Sequence, residues 1–243
     1  MHEFESFVYL DMEKTGSTFI SRLLNKFARE PVQRQLHHRA MGADFDPKKF
    51  YFVSVRDPMD SYLSLYSFGC QQQGKVYARL RNQGHLEYYD RTEDGFANWL
   101  QFVLKRRNAD LLRDGYNTMA DGRIAGLMGF QSYRYLRLAI PDAETLLAGC
   151  ETQDDIHAVY AANKLPQFVI RHETFVADLC RLIEGPLRDK LNDVEGALDY
   201  ARNAEPVNTS ERVDKGEAEF RIDDRRRRKL QKREWLLNEL FEY

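Results

Sequence analysis

The spacing of apolar residues changes along the chain and separates strands from helices. Phe7-Val8-Tyr9-Leu10 is a short, continuous apolar run, the pattern of a buried strand. A small polar segment, Lys14-Thr15-Gly16-Ser17-Thr18, follows it, and Phe19, Ile20, Leu23, Leu24 and Phe27 then recur on one helical face. The opening therefore reads strand, loop, helix. Residues Val32 to His38 predict a second, short strand. Phe50 to Val55, β-branched and aromatic almost throughout, predict a third. Pro58 suits the first turn of a helix, which Met59, Tyr62, Leu63 and Tyr66 continue. From about residue 93 to 163 the spacing is mostly helical, with Phe96, Trp99, Leu100, Val103 and Leu104 on one face. Gln167 to Arg171 predict the last strand, and a helix with Phe175, Leu179, Leu182 and Ile183 follows. Residues Asp223 to Phe241 predict one charged helix with Leu230, Leu237, Leu240 and Phe241 inside. Strands alternating with helices predict an α/β fold, a parallel sheet flanked by helices. No linker rich in Pro, Gly or Ser divides the sequence, so one domain is expected over residues 1–243.

Composition narrows the classes. With 43% hydrophobic and 30% charged residues the chain is neither disordered nor fibrous. No apolar stretch approaches membrane-spanning length. Met1 to Glu5 carry acids and no basic region ahead of an apolar run, so a secretory signal is not expected. Cys70, Cys150 and Cys180 are scattered, which suits a reducing cytoplasm better than a disulfide framework or a metal cluster. The formal net charge is −2, so any anion site must be local.

Two segments carry candidate chemistry. A strand entering Lys14-Thr15-Gly16-Ser17-Thr18 and then a helix is an anion-binding arrangement: backbone N–H groups at the helix start, a glycine permitting close approach, a lysine charge and two hydroxyls. It does not fit the G-x-x-x-x-G-K-[ST] loop of nucleotide kinases, because Lys14 precedes Gly16 and no glycine lies upstream. An ordinary helix cap at Thr15 or Ser17 is the alternative. In the second segment, Arg56 ends the Phe50 strand, at the edge where open α/β sheets bind ligands, and Ser64 lies eight residues on. Arginine offers a planar fork of donors to a phosphate. The alternative is a salt bridge to Asp57 or Asp60.

Phe7–Leu24 and Phe52–Tyr66, with Lys-Thr-Gly-Ser-Thr and Val-Arg-Asp-Pro, resemble the sulfotransferases that use 3′-phosphoadenosine 5′-phosphosulfate, and within them the bacterial and Golgi carbohydrate type. Phe168 to Leu179 is similar to a later block of that family, and Arg202 to Lys215 to its cofactor-closing loop. The resemblance implies a P-loop NTPase-like parallel sheet and transfer of a sulfonate from the nucleotide to an acceptor hydroxyl, most readily of a saccharide. Adenosine 3′,5′-bisphosphate would be released, with no metal required. It implies that Lys14, Thr15, Gly16, Ser17 and Thr18 hold the 5′-phosphosulfate, that Arg56 and Ser64 hold the 3′-phosphate, and that Asn208, Ser210 and Lys215 reach the cofactor from the closing loop. Many relatives have proline where this chain has Glu13.

Lys14 is the natural donor to the bridging oxygen of the leaving group. A base must take the acceptor's proton. The resemblance points to a histidine in the region of His37 and His38, with Glu13 as a rival. Strand alternation would send the two rings to opposite faces, and His38 is favoured. No metal-ligand spacing such as H-E-x-x-H occurs. Arg225 to Lys229 reads either as a polyanion contact or as a solvated helix face with local ion pairs. The polar segment Gly69–Asp94, rich in Tyr, Gln and Arg, suits an acceptor-binding loop. The rival functions are a small-molecule kinase and a non-catalytic nucleotide- or polyanion-binding module. No nucleic-acid partner and no membrane span are expected.

Overall fold

The computed structural model describes residues 1–112, 114–203, 220 and 222–243. Five strands are present: β1 (His2–Glu3), β2 (Phe7–Leu10), β3 (Arg34–Gln35), β4 (Phe50–Val55) and β5 (Phe168–Arg171). The helices are α1 (Ser17–Phe27), α2 (Pro58–Cys70), α3 (Lys75–Asn82), α4 (Glu93–Val103), α5 (Ile124–Leu127) and α6 (Phe130–Ala139). They continue with α7 (Ala143–Leu147), α8 (Gln153–Asn163), α9 (Phe175–Glu184), α10 (Val194–Asn203), α11 (Asp224–Arg233) and α12 (Trp235–Phe241). The described residues cluster into two compact units. One holds 1–56, 135–143 and 160–203, and the other holds 57–134, 144–159 and the described residues from 220 onward.

The first unit contains the whole sheet, in the order β3-β1-β2-β4-β5. β2, β4 and β5 run parallel, with Leu10 opposite Val53 and Val55 opposite Arg171, so their carboxyl ends share one edge. β1 is antiparallel to both β2 and β3. The sheet is therefore mixed, where the sequence led to an all-parallel one. The reason is local: β1 is two polar residues long and has no periodicity to read, and β3 contracts to a two-residue edge strand. On one face, Phe7, Tyr9 and Phe52 pack with Phe19, Ile20, Leu23 and Leu24 of α1 and with Leu179, Leu182 and Ile183 of α9. That is the periodicity visible in the sequence, and α1 and α9 begin where it placed them.

In the second unit α2 starts on Pro58, with Asp57 as its cap: the carboxylate accepts from Asp60 N at 3.0 Å. Tyr62, Tyr66, Phe96 and Trp99 form its buried aromatic cluster. The C-terminal segment is not one helix: it breaks at Glu234, which is fully buried. Its carboxylate accepts from Tyr62 Oη at 2.7 Å, Ser132 N at 2.7 Å and Gln131 N at 3.3 Å. A run of charged residues at helical spacing hides the break, because its cause is a side chain turned inward.

Candidate active site at the carboxyl edge of the sheet

β2 delivers the chain to Asp11, and residues 11–16 cross the carboxyl edge before α1 begins. Lys14 has φ 69 and Gly16 has φ 88. The left-handed region suits glycine and strains lysine, a cost that surrounding contacts must hold in place. The anchor is Thr15, which is fully buried. Its hydroxyl donates to Met12 O at 2.8 Å and lies 2.6 Å from Ser54 Oγ, which lies 2.6 Å from Tyr9 Oη. A hydroxyl has one proton, so the chain runs one way: Tyr9 donates to Ser54, Ser54 to Thr15, Thr15 to Met12. Burial raises the Tyr9 phenol well above its ordinary range, which keeps that proton in place. Thr15 thus fixes the loop from inside, with its hydroxyl committed to the protein.

Period-2 alternation puts Phe52, Ser54 and Arg56 on one side of β4 and its extension. Phe52 packs on α1, Ser54 secures Thr15, and the buried Arg56 brings Nη1 to 3.5 Å from Lys14 O. The two segments singled out in the sequence therefore meet. The N-cap of α1 is Gly16: no side chain caps the helix and no acid occupies its first turn. The alternative reading of Thr15 or Ser17 as the cap is thereby excluded. Ser17 and Thr18 sit half-buried in that first turn, and Glu13 is half-buried in the loop. Phe175, at the start of α9, covers Gly16: a Cβ built there would come to 2.5 Å from Cε2 of the ring. Asp178 holds the end of β5 by accepting from Arg171 N and Thr174 Oγ1, both at 2.8 Å.

His37 and His38 lie beyond β3, in a turn, so strand alternation does not apply to them. His38 takes φ 54, and both rings face the same carboxylate. His37 Nδ1 is 3.5 Å and His38 Nδ1 3.6 Å from Asp11 Oδ2, and His2 Nε2 is 3.7 Å away. His38 Nδ1 also lies 3.0 Å from Asp11 O. A carbonyl only accepts, so Nδ1 carries a proton, and the tautomer this contact selects is the one that leaves Nε2 bare. His38 is partly buried, whereas His37 is 65% exposed. Asp11 is buried; burial alone would push its carboxyl up, but the neighbouring His2 ring, Met1 ammonium and His38 outweigh this and hold it well below the usual range. Asp11 was missed in the sequence, where it reads only as the first polar residue after an apolar strand.

His2, Asp11 and His37 offer three ligand atoms within 4.8 Å of one another. Ser21 Oγ, however, donates to Ser17 O at 2.7 Å and so accepts from His2 Nε2 at 2.9 Å. That puts a proton on Nε2, the His2 nitrogen 3.7 Å from Asp11 Oδ2, where a metal ligand needs a lone pair.

Ser64 is buried on α2, in the other unit. Asn208, Ser210 and Lys215 lie outside the described residues. In the second unit, Arg225, Arg226 and Lys229 line a cleft of about 330 Å³ with Leu100 and Leu104. Arg226 pairs there with Asp223, as the local ion-pair reading expects. Among the described residues no helix is long and apolar enough to cross a membrane.

The parallel strands, the uncapped helix start and the arginine beside the loop define an α/β protein with a donor-rich, cationic edge. Residues 1–121 match the sequence profile of the sulfotransferase family, and over this stretch the chain belongs to that family, which makes it a transferase enzyme using a sulfate donor. The matched stretch includes the Lys14 loop, both turn histidines, Arg56 and Ser64. No curated protein and no solved structure matches the chain.

Proposed function

We propose that this enzyme transfers a sulfonate group from 3′-phosphoadenosine 5′-phosphosulfate to a hydroxyl of an acceptor, with a saccharide as the favoured acceptor class. The observation that carries the reading is the approach of Arg56 to the Lys14 loop at the uncapped start of α1. Two cationic side chains and backbone donors on one sheet edge suit a nucleotide with two separate anionic groups. The β2–loop–α1 order beside a parallel β4 supports a P-loop-like fold, here within one sulfotransferase domain over 1–243.

The donor supplies an activated sulfonate whose bond to the bridging oxygen breaks as the acceptor oxygen bonds to sulfur. Lys14, Ser17 and Thr18, with the main-chain N–H groups of Thr15 and Gly16, would hold the 5′ end, and the Lys14 ammonium would stabilise charge growing on the bridging oxygen. Arg56 would hold the 3′-phosphate; the same role for Ser64, and cofactor contact by Asn208, Ser210 and Lys215, rest on the family resemblance alone. His38 would take the acceptor's proton at Nε2, which its Nδ1–H contact leaves available. His37 and Glu13 are the competing bases. Adenosine 3′,5′-bisphosphate leaves with the bridging oxygen.

The test is transfer of labelled sulfonate from the nucleotide to a panel of saccharides and other hydroxyl compounds. Wild type should label at least one acceptor. Lys14→Ala should lower kcat by about 10²–10³-fold, and His38→Ala by about 10²–10⁴-fold. Phosphate transfer from ATP with no sulfonate transfer would replace this reading by that of a kinase.

A further inference from the structure

Resting on the reading of His38 as the base, we propose that Asp11 is the positioning residue that sets the place and tautomer of that histidine. Asp11 is held at the end of β2, three residues before Lys14, and its buried carboxylate is hydrogen-bonded through Oδ1, while Oδ2 faces the His2, His37 and His38 rings without a hydrogen bond. Oδ1 takes the Met1 ammonium and, at 2.9 Å, the main-chain N–H of His38. The main-chain oxygen of the same residue takes His38 Nδ1–H at 3.0 Å. One residue therefore grips both the backbone and the ring of His38.

The grip explains the strained turn. His38 holds φ 54, which a non-glycine residue keeps only when its surroundings require it. Arg137 Nη2 closes the turn from the other side by donating to His38 O at 2.7 Å. The groups facing Asp11 are the Met1 ammonium, His2, His37 and His38; Arg137 and Arg34 act on the Met1 ammonium from α6 and β3. Asp11 itself opens the loop that carries Lys14. The base and the cation for the leaving group are thus referred to one residue, and catalysis by positioning is sensitive to displacements of about 1 Å.

The experiment compares wild type, Asp11→Ala and Asp11→Asn by three readouts: kcat and KM for sulfonate transfer, calorimetric binding of adenosine 3′,5′-bisphosphate, and the ¹⁵N shifts of the His38 imidazole, assigned with His38→Gln. Asp11→Ala removes Oδ1, whose bond to the His38 main-chain N–H holds the strained turn and so keeps the ring on the main-chain oxygen of residue 11; it should lower kcat by about 100-fold, leave nucleotide affinity within about twofold, and replace the Nδ1–H signature of His38 by a tautomer mixture. Asp11→Asn keeps an oxygen that can accept the His38 N–H and should recover at least about tenfold of the loss. The proposal is overturned if Asp11→Ala stays within about threefold of wild-type kcat, if the His38 signature is unchanged, or if nucleotide binding falls in parallel with kcat. Should wild type transfer no sulfonate, the reading of His38 as base fails by itself, and the ¹⁵N signature alone decides whether Asp11 positions the ring.

Discussion

The Phe175 ring closes over Gly16 at the start of α1. A glycine between Thr15 and Ser17 was readable as a site of close approach, and the chain does take φ 88 there. What it approaches, the Phe175 ring, is far off in sequence and was not readable. Gly16→Ala should cost about 1–3 kcal/mol by forcing the ring aside and straining the turn; urea unfolding would measure it, and an unchanged midpoint would refute the packing described. Thr15 shows the opposite case: its type suggested a phosphate ligand, while its burial makes it an internal anchor. Asp11 carries a pH prediction. Its folded carboxyl is held below the ordinary range, so its stabilisation is complete above the unfolded value, about 3.9, and is lost as pH falls toward the folded one. The stability difference between wild type and Asp11→Asn should therefore shrink as pH falls below about 4. A difference independent of pH down to acid unfolding would contradict it.

At the scale of elements, the long periodic segments were legible and the short or broken ones were not. β4 and α1 each bury a continuous stripe, and burial of that stripe is what makes them form. β1 and β3 are held by main-chain pairing of two residues each, which leaves no side-chain pattern. The turn that carries His37 and His38 follows from β3 ending at Gln35, which is why alternation misplaced the rings. The break between α11 and α12 depends on Glu234, whose buried carboxylate is pushed up by desolvation and partly restored by Tyr62, Ser132 and Gln131. Glu234→Ala would leave these buried donors without their acceptor. A loss of about 2–4 kcal/mol is expected, read as a lower urea midpoint with native helix content kept at low denaturant; a change under about 0.5 kcal/mol would show that the carboxylate is not what fixes the break.

At the scale of the molecule, a formal charge of −2 gives no general attraction for anions, so recognition has to come from local groups. In the proposed reading Lys14 and Arg56 supply them within one unit, on the sheet edge where β2 and β4 end. Ligand that binds only the folded state stabilises it by mass action, so the same contacts should be visible without turnover. The most direct test is calorimetric titration of adenosine 3′,5′-bisphosphate and of adenosine 5′-monophosphate into wild type, Lys14→Ala and Arg56→Ala. The account predicts that wild type prefers the bisphosphate, that each substitution weakens its binding by about tenfold or more, equivalent to about 1.4 kcal/mol, and that Arg56→Ala abolishes the preference. Equal affinity of wild type for the two nucleotides, or bisphosphate binding indifferent to both substitutions, would contradict it.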